Sequence, residues 1–82
     1  MEKIILDTRE LEHPKPLEEA TKLLRELDSG SYIYMLHRKN PIPLIDLAQE
    51  HGFNTHTQEV DSSWHILISR DNSIDLKELV NV

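Results

Sequence analysis

Two histidines stand where a strand-like run gives way to a helix start: His13 in "LDTRELEHPKPLEEA" and His37 in "YIYMLHRKNPIPL". Each has an arginine close by, Arg9 upstream of the first and Arg38 directly after the second. If the two runs are parallel neighbours, their ends lie about 5 Å apart. Arg9, His13, His37 and Arg38 then form one constellation at the loop edge, where ligands of open α/β sheets bind. A pair of imidazoles suits a metal or haem iron, with His13 and His37 as candidate ligands. Two arginines beside two helix N-termini suit an anion instead. The metal reading lacks a third ligand and has two cations beside it. The anion reading is opposed by Glu10, Glu12, Glu18 and Glu19, although acids in a first helical turn also simply complement the helix dipole. The plainer alternative is that both histidines are solvated loop residues. His51, before Gly52 at a helix end, is read as structural, because a cation there favours the dipole. No Ser-His-Asp, H-E-x-x-H, glycine-rich phosphate loop or paired-carboxylate signature occurs. No catalytic residue is therefore assigned, a non-enzyme is expected, and no cofactor is implied.

The elements that must position these side chains follow from periodicity. "KIILDT" (Lys3 to Thr8) is a β-branched, apolar run of strand length. Pro14 and Pro16 open the next element, since proline in a first turn loses no hydrogen bond that the helix needs. A residue before proline is pushed to extended geometry, so the helix is expected from about Pro16, with His13 at its mouth. Leu17, Ala20, Leu23, Leu24 and Leu27 recur at three- and four-residue spacings, giving one apolar stripe. Gly30 is expected to close this helix in the left-handed conformation. "SYIYMLH" is apolar on both alternating sets, which predicts a central strand. Pro41 and Pro43 open a second, shorter helix that Gly52 ends. "FNTHTQEV" and "SSWHILISR", separated by Asp61 and Ser62, predict an antiparallel hairpin.

The order β-α-β-α-β-β, with a right-handed crossover, predicts an α+β two-layer sandwich: a four-stranded mixed sheet carrying two helices on one face. The opposite face is expected to stay partly open, with the tyrosines, His56 and His65 as candidates to lie on it. Residues 1–72 are read as one domain and 73–82 as a C-terminal tail, either a short helix or a frayed end.

Composition sets the limits. A chain of 82 residues with 38% hydrophobic and 29% charged residues makes one folded domain. A chain of this size buries only about 60% of its unfolded surface or slightly more. The net charge of −6 argues against nucleic acid and anionic membrane surfaces as partners. The absence of cysteine excludes disulfides, thiolate ligands and persulfide chemistry by the chain itself. "MEKIILD" fits neither a signal peptide nor a membrane span, so a cytoplasmic location is expected, and a monomer.

"LDTRELEHPKPL" resembles the N-terminal signature of the TusA/SirA-like sulfur-carrier family, L-D-x-R-G-L-x-C-P-x-P. Leu6, Asp7, Arg9, Leu11, Pro14 and Pro16 match, whereas Glu10 replaces the glycine and His13 the cysteine. "LHRKNPIPL", "HGF" and "SSWHILISR" resemble more closely a cysteine-free sister group, the domain of unknown function numbered 2249. The resemblance implies a TusA-like fold over about Ile4 to Arg70. It does not carry over the persulfide relay, because imidazole cannot hold a persulfide. Members of the cysteine-free group often occur with hemerythrin-like or other redox proteins. The implied role is a binding or regulatory module that docks a protein partner at the loop edge. The alternatives are a metal, haem or anion site at His13 and His37, or an accessory dock in sulfur transfer.

Overall fold

The alternation in "SYIYMLH" sends Ile33 and Met35 to one side of the chain and Tyr32 and Tyr34 to the other, and all four are buried. Such a strand must lie inside a sheet with both faces covered. In the computed structural model, which describes residues 1–81, it is β2 (Ser31–His37). The other elements are β1 (Glu2–Asp7), α1 (Lys15–Glu26), α2 (Ile42–Glu50), β3 (Asn54–Val60) and β4 (Ser63–Ser69). A 3₁₀ turn follows at Leu76–Leu79. β1 runs parallel to β2, while β4 lies antiparallel between β2 and β3, giving the spatial order β1-β2-β4-β3. The result is an α+β fold with a four-stranded mixed sheet and two helices.

Both helices pack on one face. Ile33 and Met35 of β2 and Ile66 and Ile68 of β4 meet Ala20 and Leu24 of α1 and Leu44 and Ala48 of α2, with Leu27 and Phe53 closing the ends of this core. The helices start and stop largely by the expected local chemistry. α1 begins at Lys15 with Pro14 as its cap residue, and α2 begins at Ile42 after Pro41; neither has a side-chain cap. Gly52 closes α2 with φ +80°. Gly30 does not act this way, which corrects the expectation. α1 ends in an extended Leu27 (φ −69°, ψ 124°), and the Asp28 carboxylate accepts the Gly30 N–H at 2.9 Å. An aspartate turn therefore redirects the chain into β2 without a left-handed residue. Between β3 and β4, Asp61 and Ser62 both have positive φ, 50° and 70°, as a two-residue hairpin turn of the primed type requires.

The second sheet face is less open than expected. Tyr32, Tyr34 and Leu67 are covered by Leu76, with Ile74, Leu79 and Val80 packed around them. Within the 73–82 tail, Leu76–Leu79 thus form a 3₁₀ turn against the sheet, and the last residue, Val82, lies outside the described residues. Asn54 holds the start of this segment, donating to the carbonyls of Asp71 (3.2 Å) and Ile74 (2.8 Å). The far end is held by Tyr34, whose hydroxyl accepts the Asn81 N–H at 2.8 Å. The same hydroxyl is hydrogen-bonded to His65 Nδ1 at 2.6 Å. The Lys3 ammonium stands 4.4 Å from the centre of the Tyr34 ring. His56 shares this face, opposite Leu67 in register.

Burial pushes the His65 pKa down from 6.5, with a further push from Arg9 and a smaller opposing pull from Asp61. Between its folded and unfolded values the unfolded chain binds more protons, so this histidine makes stability rise with pH and fall on acidification below about 6.5. Urea unfolding at pH 7.5 and pH 5 should therefore show a loss of stability that is smaller in His65→Gln. An equal loss in both proteins would show that His65 carries none of it.

Candidate functional site

Parallel pairing of Leu6 with Met35 and Asp7 with Leu36 brings the ends of β1 and β2 side by side. Thr8, one residue beyond β1, is fully buried there. Its N–H and its hydroxyl both donate to the Leu36 carbonyl, at 2.9 and 2.8 Å. Its Oγ1 also lies 3.0 Å from His37 Nδ1. The single hydroxyl proton is used on Leu36, so the imidazole must supply the proton of the second contact. Neutral His37 is therefore held as the Nδ1–H tautomer, which leaves the Nε2 lone pair free. Burial lowers the His37 pKa; hydrogen bonding to the Thr8 backbone opposes this, and the charges of Arg38 and Lys39 add to the lowering.

The two strand-to-helix loops close over this junction. The Leu11 N–H donates to the Thr8 carbonyl (3.0 Å) and the Lys15 N–H to the Glu12 carbonyl (2.9 Å), with a cis peptide between His13 and Pro14. From the other loop, Arg38 Nη2 donates to the Leu11 carbonyl at 3.2 Å and stands 3.5 Å from the Glu12 carboxylate. Between the loops and the first turns of α1 and α2 lies a cleft of about 190 Å³. Leu11, Leu17, Met35, Leu44 and the rings of Pro16, Pro41 and Pro43 form its apolar lining. Glu12, His13, His37, Arg38 and Lys39 supply its polar groups.

Three of the four residues singled out in the sequence, His13, His37 and Arg38, border this cleft. Arg9 does not. Its guanidinium forks onto Asp7, with Nε at 2.9 Å and Nη2 at 2.7 Å, and holds that carboxyl down to about 2. Asp7 alternates with Leu6, which packs on the helix-side core, so the pair lies toward the opposite face. His51 is the exposed cap residue of α2 and is not part of the cleft. Sequence reasoning missed Thr8, which reads as the first polar residue of a connection, and Lys39, which "HRKN" did offer as a second cation. Among the described residues, no group of three or more His, Cys, Asp or Glu side chains is placed to hold a metal ion. Cations and imidazoles over an apolar floor fit a negatively charged group with an apolar body better than a cation.

A small two-layer α+β domain with a cleft between its strand-to-helix loops is the class that this architecture defines. The chain belongs to the family described as Uncharacterized conserved protein (DUF2249), which matches residues 5–70 and so includes both loops and both helices. No curated protein and no solved structure matches it significantly.

Thr8→Val should remove the donor to Leu36 and release the His37 ring, at a cost of about 1–3 kcal/mol for the stranded buried groups. In ¹⁵N-resolved spectra, wild-type His37 should be the Nδ1–H tautomer and the variant should shift toward Nε2–H. The same Nε2–H tautomer in both proteins would contradict the assigned geometry.

Proposed function

We propose that the chain is a non-enzymatic binding module that docks a protein partner at its βα-loop edge, through the cleft bordered by His13, His37 and Arg38. The observation that carries this reading is a local inversion of charge. In a chain of net charge −6, Arg38 and Lys39 stand together over an apolar floor of Leu11, Leu17, Met35 and Leu44. Arg38 is shared with Glu12, whereas Lys39 has no carboxylate partner among the described residues. Such a rim selects acidic groups at contact range and sets the orientation of docking.

The resemblance to sulfur carriers supports the same edge, because two of its matching positions, Leu11 and Pro16, line the cleft beside His13. His13 stands where those proteins keep their sulfur. With no cysteine in the chain, the docking edge is what this scaffold retains. A redox or hemerythrin-like protein is the partner class favoured by the resemblance, in a cytoplasmic setting. None of the described helices is long and apolar enough to cross a membrane.

Cross-linking in an extract of the source cells tests this reading. Capture of the partner should fall about tenfold or more in an Arg38→Glu, Lys39→Glu double variant. It should persist in Lys22→Glu, on the exposed side of α1. A partner captured equally by all three proteins would refute docking at this edge.

A further inference from the structure

The cleft itself specifies the group that a partner must present, an inference that rests on the docking function proposed above. We infer that the anchor is the free C-terminal carboxylate of an aliphatic residue, and that His37 takes up one proton from solvent as that carboxylate docks.

Size and lining set the first half. An engineered apolar cavity of about 150 Å³ admits benzene, so about 190 Å³ accepts one branched aliphatic side chain. Leu17, Met35 and Leu44 make the inner wall apolar, and Arg38 and Lys39 place positive charge at its rim. The occupant must therefore carry a carboxylate directly beside an aliphatic body. A C-terminal leucine, isoleucine or valine has both on one residue. A glutamate within a chain brings the carboxylate without an apolar group of that size, and inorganic phosphate brings charge alone. Capture of a C-terminal carboxylate is a recurring mode of peptide recognition.

The second half follows from Thr8. Its hydroxyl fixes the His37 Nδ1–H, so the ring's free valence is the Nε2 lone pair. On the neutral ring that nitrogen has no proton to offer an anion. A docked carboxylate reverses the balance, because a negative charge beside a half-buried imidazole favours the imidazolium. One N–H bond forms at Nε2 with a proton drawn from water, and it points at the anion. The charged and titratable neighbours are few. Arg38 and Lys39 follow His37 on its own loop, and Glu12 and His13 come from the loop after β1. α1 and α2 contribute only Pro16, Leu17, Pro43 and Leu44, and Trp64 of β4 is the cross-strand neighbour. Glu12 is engaged with Arg38, which leaves Lys39 and the newly charged His37 for the carboxylate.

NMR and calorimetric titration of the protein with acetyl-Ser-Gly-Leu, its C-terminal amide, and acetyl-Gly-Glu-Gly-amide tests this. The free acid should shift resonances of the cleft residues alone and bring close to one proton per peptide at pH 7. Its affinity should fall about tenfold per pH unit between the His37 pKa of the free protein and that of the complex, and level off above the latter. The other two peptides should bind at least about tenfold more weakly. His37→Gln should abolish the proton uptake. Equal binding of the amide or of the glutamate peptide, or binding without proton uptake, would overturn the inference. If no peptide binds while capture of the cellular partner still depends on Arg38 and Lys39, the terminal-carboxylate anchor fails and the docking function stands. If that dependence is absent too, both fail.

Discussion

The end of β1 is tied to the end of β2 by one buried residue, and the working edge of the molecule depends on that tie. Thr8 spends both its amide and its hydroxyl proton on the Leu36 carbonyl, and its own hydroxyl oxygen accepts the His37 Nδ1–H. A buried polar group is tolerated only when its hydrogen bonds are satisfied, and Thr8 meets that condition by joining residues 28 and 29 positions away. Both strand-to-helix loops start from this knot. The orientation of His37, the reach of Arg38 back to Leu11 and the width of the cleft follow from it.

Around that knot the fold separates support from exposure. α1 and α2 cover one sheet face with an aliphatic core, and the C-terminal segment covers Tyr32, Tyr34 and Leu67 on the other. Arg70 reinforces the end opposite the cleft, with its Nε donating to the Leu27 carbonyl and its guanidinium 4.7 Å from the Phe53 ring centre. β2, the strand that carries His37, is thereby buried on both faces and paired on both edges. A binding edge mounted on such a strand is held in place before any ligand arrives, which lowers the ordering cost of docking.

Much of this is legible in the residues. Alternation in "SYIYMLH" specifies a central strand, and the repeated P-x-P-L specifies two helix starts at one edge, because both signals are local. Long-range contacts are not written in this way. Thr8 is an ordinary polar residue until β2 is laid beside it. Gly30 looked like a helix stop, yet the Asp28 side chain did the work through a turn that competes with the left-handed one. Arg9 seemed to share the edge with His13, but alternation along β1 sends Asp7 away from the helices, and Arg9 follows its carboxylate. The tail could be read as helix or frayed end because its apolar residues, Ile74, Leu76 and Leu79, acquire a partner only once the tyrosine face exists.

The functional account requires the loop edge to be as rigid as the sheet that bears it. Native-state hydrogen exchange of the Thr8 amide measures this directly. The amide should exchange only through global unfolding, with the same opening free energy and the same denaturant dependence as the Ile33 and Met35 amides. Exchange of Thr8 through a low-energy, denaturant-insensitive local opening, while Ile33 and Met35 stay protected, would contradict a cleft fixed by the Thr8–Leu36–His37 junction.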